Sequence, residues 1–267
     1  MYIKTGWYLI GLLSLTVCSV GRADTVPLTR VIVEAAILDP RRPDDQVKLD
    51  ATRKPAISVL FSEAKAGDRI ADVMSGNGYF TRILSEVVGP GGHVYAYIPT
   101  EQIAHCSPSE IAGTQAIARD SSYRNVTLLT GSLADFRMPE KLDLIWMSQS
   151  YHDLHDSFLG PANVAVLNRA IFDALKPGGV FLVIDHVAEA GSGLRDTETL
   201  HRIDPIHMKN EIEAAGFVLE SHSDALRNTD DGHKQAIFDP NIRGRTDQVL
   251  FRFRKPLGSG RLADRPR

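Results

Sequence analysis

Residues 70–84, IADVMSGNGYFTRIL, constrain the fold of this chain more than any other run. Arg69–Met74 reads as a short strand covered on both faces, apolar in its interior except for Asp72. Gly76 and Gly78 let the backbone turn tightly and approach a ligand with no Cβ in the way. Phe80, Ile83, Leu84 and Val87 then recur at helical spacing, so the helix packs one face back on the sheet. Its first N–H groups point at whatever fills the turn. The run predicts a strand, a glycine turn and a helix, together a nucleotide cradle.

Two cofactor classes use such a cradle. A dinucleotide fingerprint needs G-x-G-x-x-G after the strand, and Thr81 occupies its third glycine position. Asp72, an acid just before the turn, suits a ligand carrying an ammonium group and not a pyrophosphate. A strand–turn–helix that holds no ligand is the other reading a glycine pair leaves open.

The rest of the chain repeats the pattern of strand and helix. His93–Ile98, Val126–Thr130, Leu142–Met147 and Val180–Ile184 are predicted strands, and Ala162–Leu175 a helix broken by Lys176-Pro-Gly-Gly179. Ahead of them, 24–66 is a helical lead-in, with Pro55 in a first turn and Ala56, Ile57, Leu60 and Phe61 as its apolar stripe. Pro205–Ala215 reads as a helix capped by Gly216, followed by strands Phe217–Ser223 and Gln248–Arg254. The segment between those two strands, Asn228–Asp247, is polar and turn-rich, so they form an antiparallel edge pair. The expected fold is α/β: a doubly wound, Rossmann-like, mostly parallel seven-stranded sheet spanning 67–256, with a loose tail at 257–267.

Residues 1–23 stand apart. Lys4 precedes an apolar run from Tyr8 to Val20, and Gly21 and Ala23 are small residues at the −3 and −1 positions of a cleavage site. That is the layout of a secretory signal peptide, which predicts a periplasmic or secreted protein with no stable membrane insertion after cleavage. Cleavage removes Lys4, Arg22 and no acid, moving the net charge from −3 to −5. Such a surface has no basic excess for nucleic acid or anionic membrane. Cys18 leaves with the signal and Cys106 has no partner for a disulfide.

The Asp72–Gly78 run resembles motif I of the class I S-adenosylmethionine-dependent methyltransferases, (Asp or Glu)-x-G-x-G-x-G, with Met74 or Ser75 at its first glycine. Leu142–Met147 looks like the fourth strand of that fold, and Leu175-Lys-Pro-Gly-Gly-Val180 like its turn into the fifth. More narrowly, GYFTR at 78–82, SQSYHDLH at 148–155, Asp185-His186 and GSGLRDTETLHRID at 191–204 are similar to a family of predicted exported bacterial methyltransferases. The resemblance implies S-adenosyl-L-methionine as cofactor but supplies no acceptor, for which a small molecule is the expectation. Asp72, Ser75, Gly76, Gly78 and Tyr79 would seat its amino-acid end, Glu101 its ribose and Ser132 its adenine. The acid that ends the second strand in this fold is missing: Ile98 stands there, and Glu101 is the nearest carboxylate.

Ligands of a doubly wound sheet bind beyond the carboxyl ends of its strands. Three polar clusters fall there, and a methyl acceptor must lose a proton as it attacks the sulfonium. His152, Asp153 and His186 are therefore the candidate catalytic groups. Tyr151, His155, Asp185, Arg195 and His201 are the candidate acceptor-binding groups. Capping of the following turns is the plain structural alternative for each. His152, His155, His186 and His201 match no known metal-ligand spacing, and no metal is assigned. Arg53 precedes the first strand and could meet a carboxylate such as the methionine tail. Export of a protein built for a cytoplasmic cofactor leaves a second possibility, a non-catalytic ligand-binding protein that retains the fold. Nothing in the sequence sets the oligomeric state.

Overall fold

The structure, a computed structural model, describes residues 28–160 and 162–257. The signal-peptide stretch 1–23 and residues 258–267 of the tail lie outside the described residues. Seven strands form one sheet: β1 (Arg69–Val73), β2 (His93–Pro99), β3 (Val126–Gly131), β4 (Leu142–Ser148), β5 (Leu175–His186), β6 (Val218–Ser223) and β7 (Gln248–Arg254). Their order is β3-β2-β1-β4-β5-β7-β6. β1 to β5 pair in parallel, and β7 runs antiparallel between β5 and β6. This is the doubly wound, mostly parallel sheet with an antiparallel edge pair that the sequence predicts. Strand order reverses between β1 and β4, which is where such sheets bind ligands.

Ten helices accompany the sheet among the described residues. The lead-in supplies α1 (Leu28–Ile37), α2 (Asp44–Val47), α3 (Asp50–Arg53) and α4 (Pro55–Ser62). Then come α5 (Tyr79–Val88), α6 (Thr100–His105), α7 (Pro108–Ile117), α8 (Val164–Ala174), α9 (Thr197–Leu200) and α10 (Pro205–Ala214). Strand alternation divides the core in two. Ile70, Leu144, Trp146 and Leu182 face α5 and the lead-in, where Val33, Val59, Phe80 and Ile83 bury against them. Ala71, Val73, Ile145, Met147 and Phe181 face the other way, against Leu167 and Ile171 of α8 and Met208 and Ile212 of α10.

Two local expectations change. In α4 the buried face is Pro55, Ser58, Val59 and Ser62, while Ile57 is exposed. The stripe is rotated because Ser58 and Ser62 satisfy their hydroxyls on the helix's own carbonyls and can be buried. The helix α7, which the sequence reading leaves out, has weak amphipathicity but begins with a capping box. Glu110 accepts from both the Ser107 N–H and its hydroxyl, and Pro108 holds the first turn.

Candidate active site

The glycine turn adopts the backbone its sequence demands. Met74, Gly76 and Gly78 have φ of 58°, 52° and 74°, and the turn ends at the first residue of α5. Glycine is favoured at 78 by its positive φ and by crowding, since a Cβ there would lie 2.4 Å from Ile117 Cδ1 and 3.0 Å from Thr114 Oγ1, and those side chains would have to shift. α7 thus packs directly on the turn, and the Thr114 hydroxyl donates to Gly76 O at 2.8 Å. From the other side Gln46 of α2 donates to Asn77 O at 2.9 Å. The lead-in and α7 together clamp the turn.

Beneath the clamp lies a cavity of about 510 Å³, ordinary for a small-molecule site. Asp72, Met74, Ser75, Gly76, Asn77 and Tyr79 form its floor; Gln46, Leu49 and Arg53 of the lead-in cover it, with Gln102 and Gln149 on the far wall. Asp72 is buried, and burial pushes its carboxyl up to about 7 against the Thr81 hydroxyl bond and the Arg53 charge that pull it down. The Tyr79 hydroxyl donates to Asp50 at 2.6 Å, and the Arg53 guanidinium sits 4.5 Å from the Tyr79 ring centre. Burial lowers the pKa of Arg53, and among the described residues it has no carboxylate within salt-bridge distance. Gln46 Oε1 and Gln102 Oε1 are buried acceptors without donors. A ligand rich in N–H and O–H groups, with one ammonium and one carboxylate, meets every one of these needs.

A second cavity, of about 490 Å³, adjoins the first. It is lined by Cys106, His152, Phe158, His186, His201 and Phe238 among others, and Gln102, Glu110, Gln149 and Asp153 line both cavities. A larger groove of about 660 Å³ runs past Arg69, Gly91 and His93, at the amino ends of β1 and β2, opposite the strand ends where this architecture binds ligands.

Of the predicted catalytic groups, all three line the second cavity, but neither histidine is a free base. His152 is held at Nδ1 by Asp185 at 2.7 Å and at Nε2 by Asp153 at 3.0 Å. Burial opposes its charge, yet the two carboxylates outweigh burial and raise it well above the usual histidine value. His186 bonds Thr246 through Nδ1 at 2.8 Å, and burial pushes it down to about 3. Neither is matched to accepting a proton near neutrality. Asp153 stays ionised: burial raises its pKa, but His152 and His201 lower it further.

Several other expectations need correction. Tyr151 and His155 line neither of the two cavities. Tyr151 is fully buried, accepting from Asn168 at 2.7 Å and donating to Glu211, which also holds His155 at 3.1 Å. Within the short 3₁₀ segment His152–His155 it is the consecutive pair His152 and Asp153 that lines the second cavity, while Tyr151 and His155 turn toward Glu211. Asp185 lines neither cavity; its carboxylate is spent on the His152 ring and on the backbone N–H groups of His152 and His186. Arg195 lies on the surface, paired with Glu189 and Asp196. Glu101 and Ser132 are absent from the cavity wall and bond each other at 2.5 Å, with Glu101 also accepting from the Leu133 N–H. Gln102, one residue on, faces the cavity where Ile98 is sealed inside β2. His201 does line the second cavity.

The sequence of residues 64–229, more than half of the chain, matches the methyltransferase domain family. The chain belongs to that family. Two curated relatives are protein-L-isoaspartate O-methyltransferases, from Ignicoccus hospitalis at 24% identity and Methanosarcina mazei at 22%, each over 135 residues and 51% of this chain. The aligned part covers 55% and 48% of those proteins, so this methyltransferase-family chain spans about half the length of the curated relatives it matches. Among solved structures, a SAM-dependent methyltransferase from Aquifex aeolicus superposes with a TM-score of 0.54 at 16% identity, over 85% of this chain and 98% of its own. The cyclase SpnF superposes with 0.57 at 16%, over 86% and 93%. The fold is that of the S-adenosylmethionine-dependent methyltransferase on which it superposes.

Proposed function

We propose that this protein transfers the methyl group of S-adenosylmethionine to a small-molecule acceptor held in the second cavity. The observation that carries this reading is the wall common to the two cavities: Gln102, Glu110, Gln149 and Asp153 line both. The cofactor supplies a methyl group on a sulfonium. Asp72 receives its ammonium, Arg53 its carboxylate, and Gln102 takes the ribose place that Ile98 leaves vacant of an acid. Asp153, ionised and facing both cavities, orients the acceptor's X–H group. With neither histidine free to take it, the acceptor's proton passes to solvent as the new bond to the methyl group forms and the sulfur–methyl bond breaks. The transfer rests on alignment of nucleophile and methyl group, which by itself supplies a large share of such a barrier. The curated relatives are named for methylation at oxygen, which favours an oxygen acceptor here.

The test is calorimetric titration of S-adenosylhomocysteine into the wild-type protein and an Asp72→Asn variant. Wild-type binding that weakens at least tenfold in the variant supports the reading. No heat at high micromolar ligand, the same in both proteins, removes it. A non-catalytic binder on this fold is the second reading, favoured by Ile98 in the ribose position; detection of methyl transfer to any acceptor in a cell extract excludes it.

We further propose that the protein acts outside the cytoplasm, supported by the charged, apolar and small-residue pattern of residues 1–23. Among the described residues, no helix is long and apolar enough to cross a membrane. A reporter active only after export, fused after Asp24, should switch on; full-length protein retained in the cytosol overturns export.

A further inference from the structure

At the floor of the second cavity, His152, Asp153, Asp156 and His201 bring one ligand atom each within 4.8 Å of one another. Three of the four line the cavity; the fourth, Asp156, closes it from behind. Asp156 is the anomaly. Its side chain is 1% exposed, and neither carboxylate oxygen has a hydrogen-bond donor among the described residues. The Thr197 hydroxyl lies near enough to lower its pKa, but its hydrogen bond goes to Leu194 O, and His201 Nδ1 stands 3.6 Å away, at ion-pair and not hydrogen-bond length. A buried carboxylate with no donor is costly, and a cation is what offsets that cost.

We propose that these four residues form a binding site for a divalent first-row transition-metal ion. Two imidazoles and two carboxylates make a mixed nitrogen–oxygen set whose two negative charges balance the ion's. Around a tetrahedral zinc ion with bonds of about 2.0–2.1 Å, donors lie about 3.3 Å apart. Three of the six separations lie close to that: His152 Nε2 to Asp153 is 3.0 Å, and His201 Nδ1 to Asp156 and Asp153 is 3.6 and 3.7 Å, while all six fall within 4.8 Å.

The surroundings are those of a ligand set held in place. Asp185 binds His152 Nδ1 and directs Nε2 at Asp153 within the cluster, so that an ion entering there takes the place of the Nε2 proton, the carboxylate–histidine–metal arrangement by which an outer carboxylate fixes a ligand's tautomer and direction. His201 is held at φ 52°, a left-handed conformation costly for a non-glycine residue, with the Phe238 ring 5.0 Å from its own. Cooperation between Asp185 and the strained His201 turn aims both imidazoles at one point. Because the ion would sit in the wall of the acceptor cavity, the acceptors it selects are metal-ligating oxygen or sulfur groups. This last consequence rests on the methyltransferase reading; the metal site does not.

The experiment is metal loading of the purified full chain after chelator treatment, using Zn²⁺ for stoichiometry and Co²⁺ for visible absorption. One Zn²⁺ per chain and a Co²⁺ spectrum with nitrogen–oxygen ligation are expected. His201→Ala and Asp156→Asn should each weaken binding at least tenfold, Asp185→Asn about 10–100-fold, and His155→Ala should leave it unchanged. His201 is partly exposed, so its variant keeps the test standing if a buried one does not fold. Less than a tenth of an equivalent of Zn²⁺, or equal affinity in the wild type and the His201 and Asp156 variants, overturns the site. S-adenosylhomocysteine is titrated into the same metal-free sample. Homocysteine-nucleoside binding without metal binding refutes the metal site alone; metal binding without it refutes the methyltransferase reading and upholds the site.

Discussion

The Thr81 hydroxyl donates a 2.6 Å hydrogen bond to Asp72 Oδ2, and both residues are buried. Thr81 stands where a dinucleotide fingerprint has its third glycine. The residue that rules out the pyrophosphate cradle is thus the one that supports the acid reserved for an ammonium group. A donor to a buried carboxylate is worth about 1.5–3 kcal/mol. Thr81→Val keeps the shape and removes the donor. Its expected effect is a tenfold or greater loss of S-adenosylhomocysteine affinity at pH 7, with the midpoint of the affinity–pH curve moved upward. Unchanged affinity and midpoint in calorimetry across pH 6–8.5 would remove Thr81 from the site.

Asp72 itself sets a pH dependence. Burial holds its carboxyl at about 7 in the folded protein, against an ordinary value of 3.8. An ammonium ligand needs the ionised form, so cofactor affinity should fall about tenfold for each pH unit below 7 and level off above it. The stability effect has the opposite direction. Between about pH 4 and 7 the folded state keeps a proton that the unfolded chain has lost, so this group favours folding most at low pH. The contribution is lost as pH rises through 7. Asp72→Asn removes that penalty: at pH 8 the variant should melt higher than wild type in the absence of ligand, while binding cofactor far more weakly. A lower melting temperature at pH 8 with intact folding at pH 5 contradicts this account.

The proposed role of Arg53, holding the carboxylate of the cofactor, can be tested by separating the cofactor's two ends. Its guanidinium lies over the Tyr79 ring at 4.5 Å with no carboxylate partner among the described residues, on the wall of the first cavity. Arg53→Met keeps much of the apolar stem and removes the charge. Affinity for S-adenosylhomocysteine should drop about 10–100-fold, since a charge-assisted bond to a carboxylate is among the stronger polar contacts. Affinity for 5′-methylthioadenosine, which lacks the amino-acid end, should change less than threefold. An equal loss for both ligands would place Arg53 in the structure of the lid and not in carboxylate recognition.

The fold was legible because its signals are local. The apolar runs of β1 and β5, the periodicity of α5, and the polar stretch between β6 and β7 each announce an element over a few residues. The glycine turn was legible for the same reason, and with it Asp72, Ser75, Gly76 and Tyr79 on the first cavity's floor. The acceptor side was less so. Tyr151, His152, Asp153 and His155 are neighbours in sequence, but a tight 3₁₀ turn sends Tyr151 and His155 into the core and the other two toward the cavity. No periodicity marks such a turn. Asp156 was passed over because a single acid after a polar run carries no signal; its unsatisfied burial exists only in three dimensions. Gln102 was hidden behind Glu101, the charged neighbour whose carboxylate is turned to Ser132.

The glycine pair should respond unequally to alanine. At Gly76, φ is 52° and nothing lies nearer than 3.9 Å to an added Cβ, so Gly76→Ala bears only the left-handed backbone cost of about 1–2 kcal/mol. At Gly78 the same backbone cost is joined by a 2.4 Å clash with Ile117 Cδ1 and a 3.0 Å approach to Thr114 Oγ1. Gly78→Ala should therefore unfold at distinctly lower denaturant than Gly76→Ala. Equal midpoints would mean that α7 yields without cost and does not clamp the turn.

Tyr151 offers the sharpest contrast between structure and acceptor binding. Its hydroxyl accepts from Asn168 Nδ2 at 2.7 Å and donates to Glu211 at 3.3 Å, in a fully buried position between β4 and α8. Tyr151→Phe leaves the Asn168 amide without its acceptor. A buried donor stranded in this way costs about 1–3 kcal/mol, so the variant should unfold at correspondingly lower urea. Because Tyr151 lines neither cavity, affinity for S-adenosylhomocysteine should stay within twofold of wild type. His155→Ala should behave likewise, since its contact is with the same Glu211 carboxylate. A variant of normal stability with weakened acceptor turnover would instead return Tyr151 to the acceptor cavity. The urea midpoint and the binding isotherm, measured on one preparation, decide between the two.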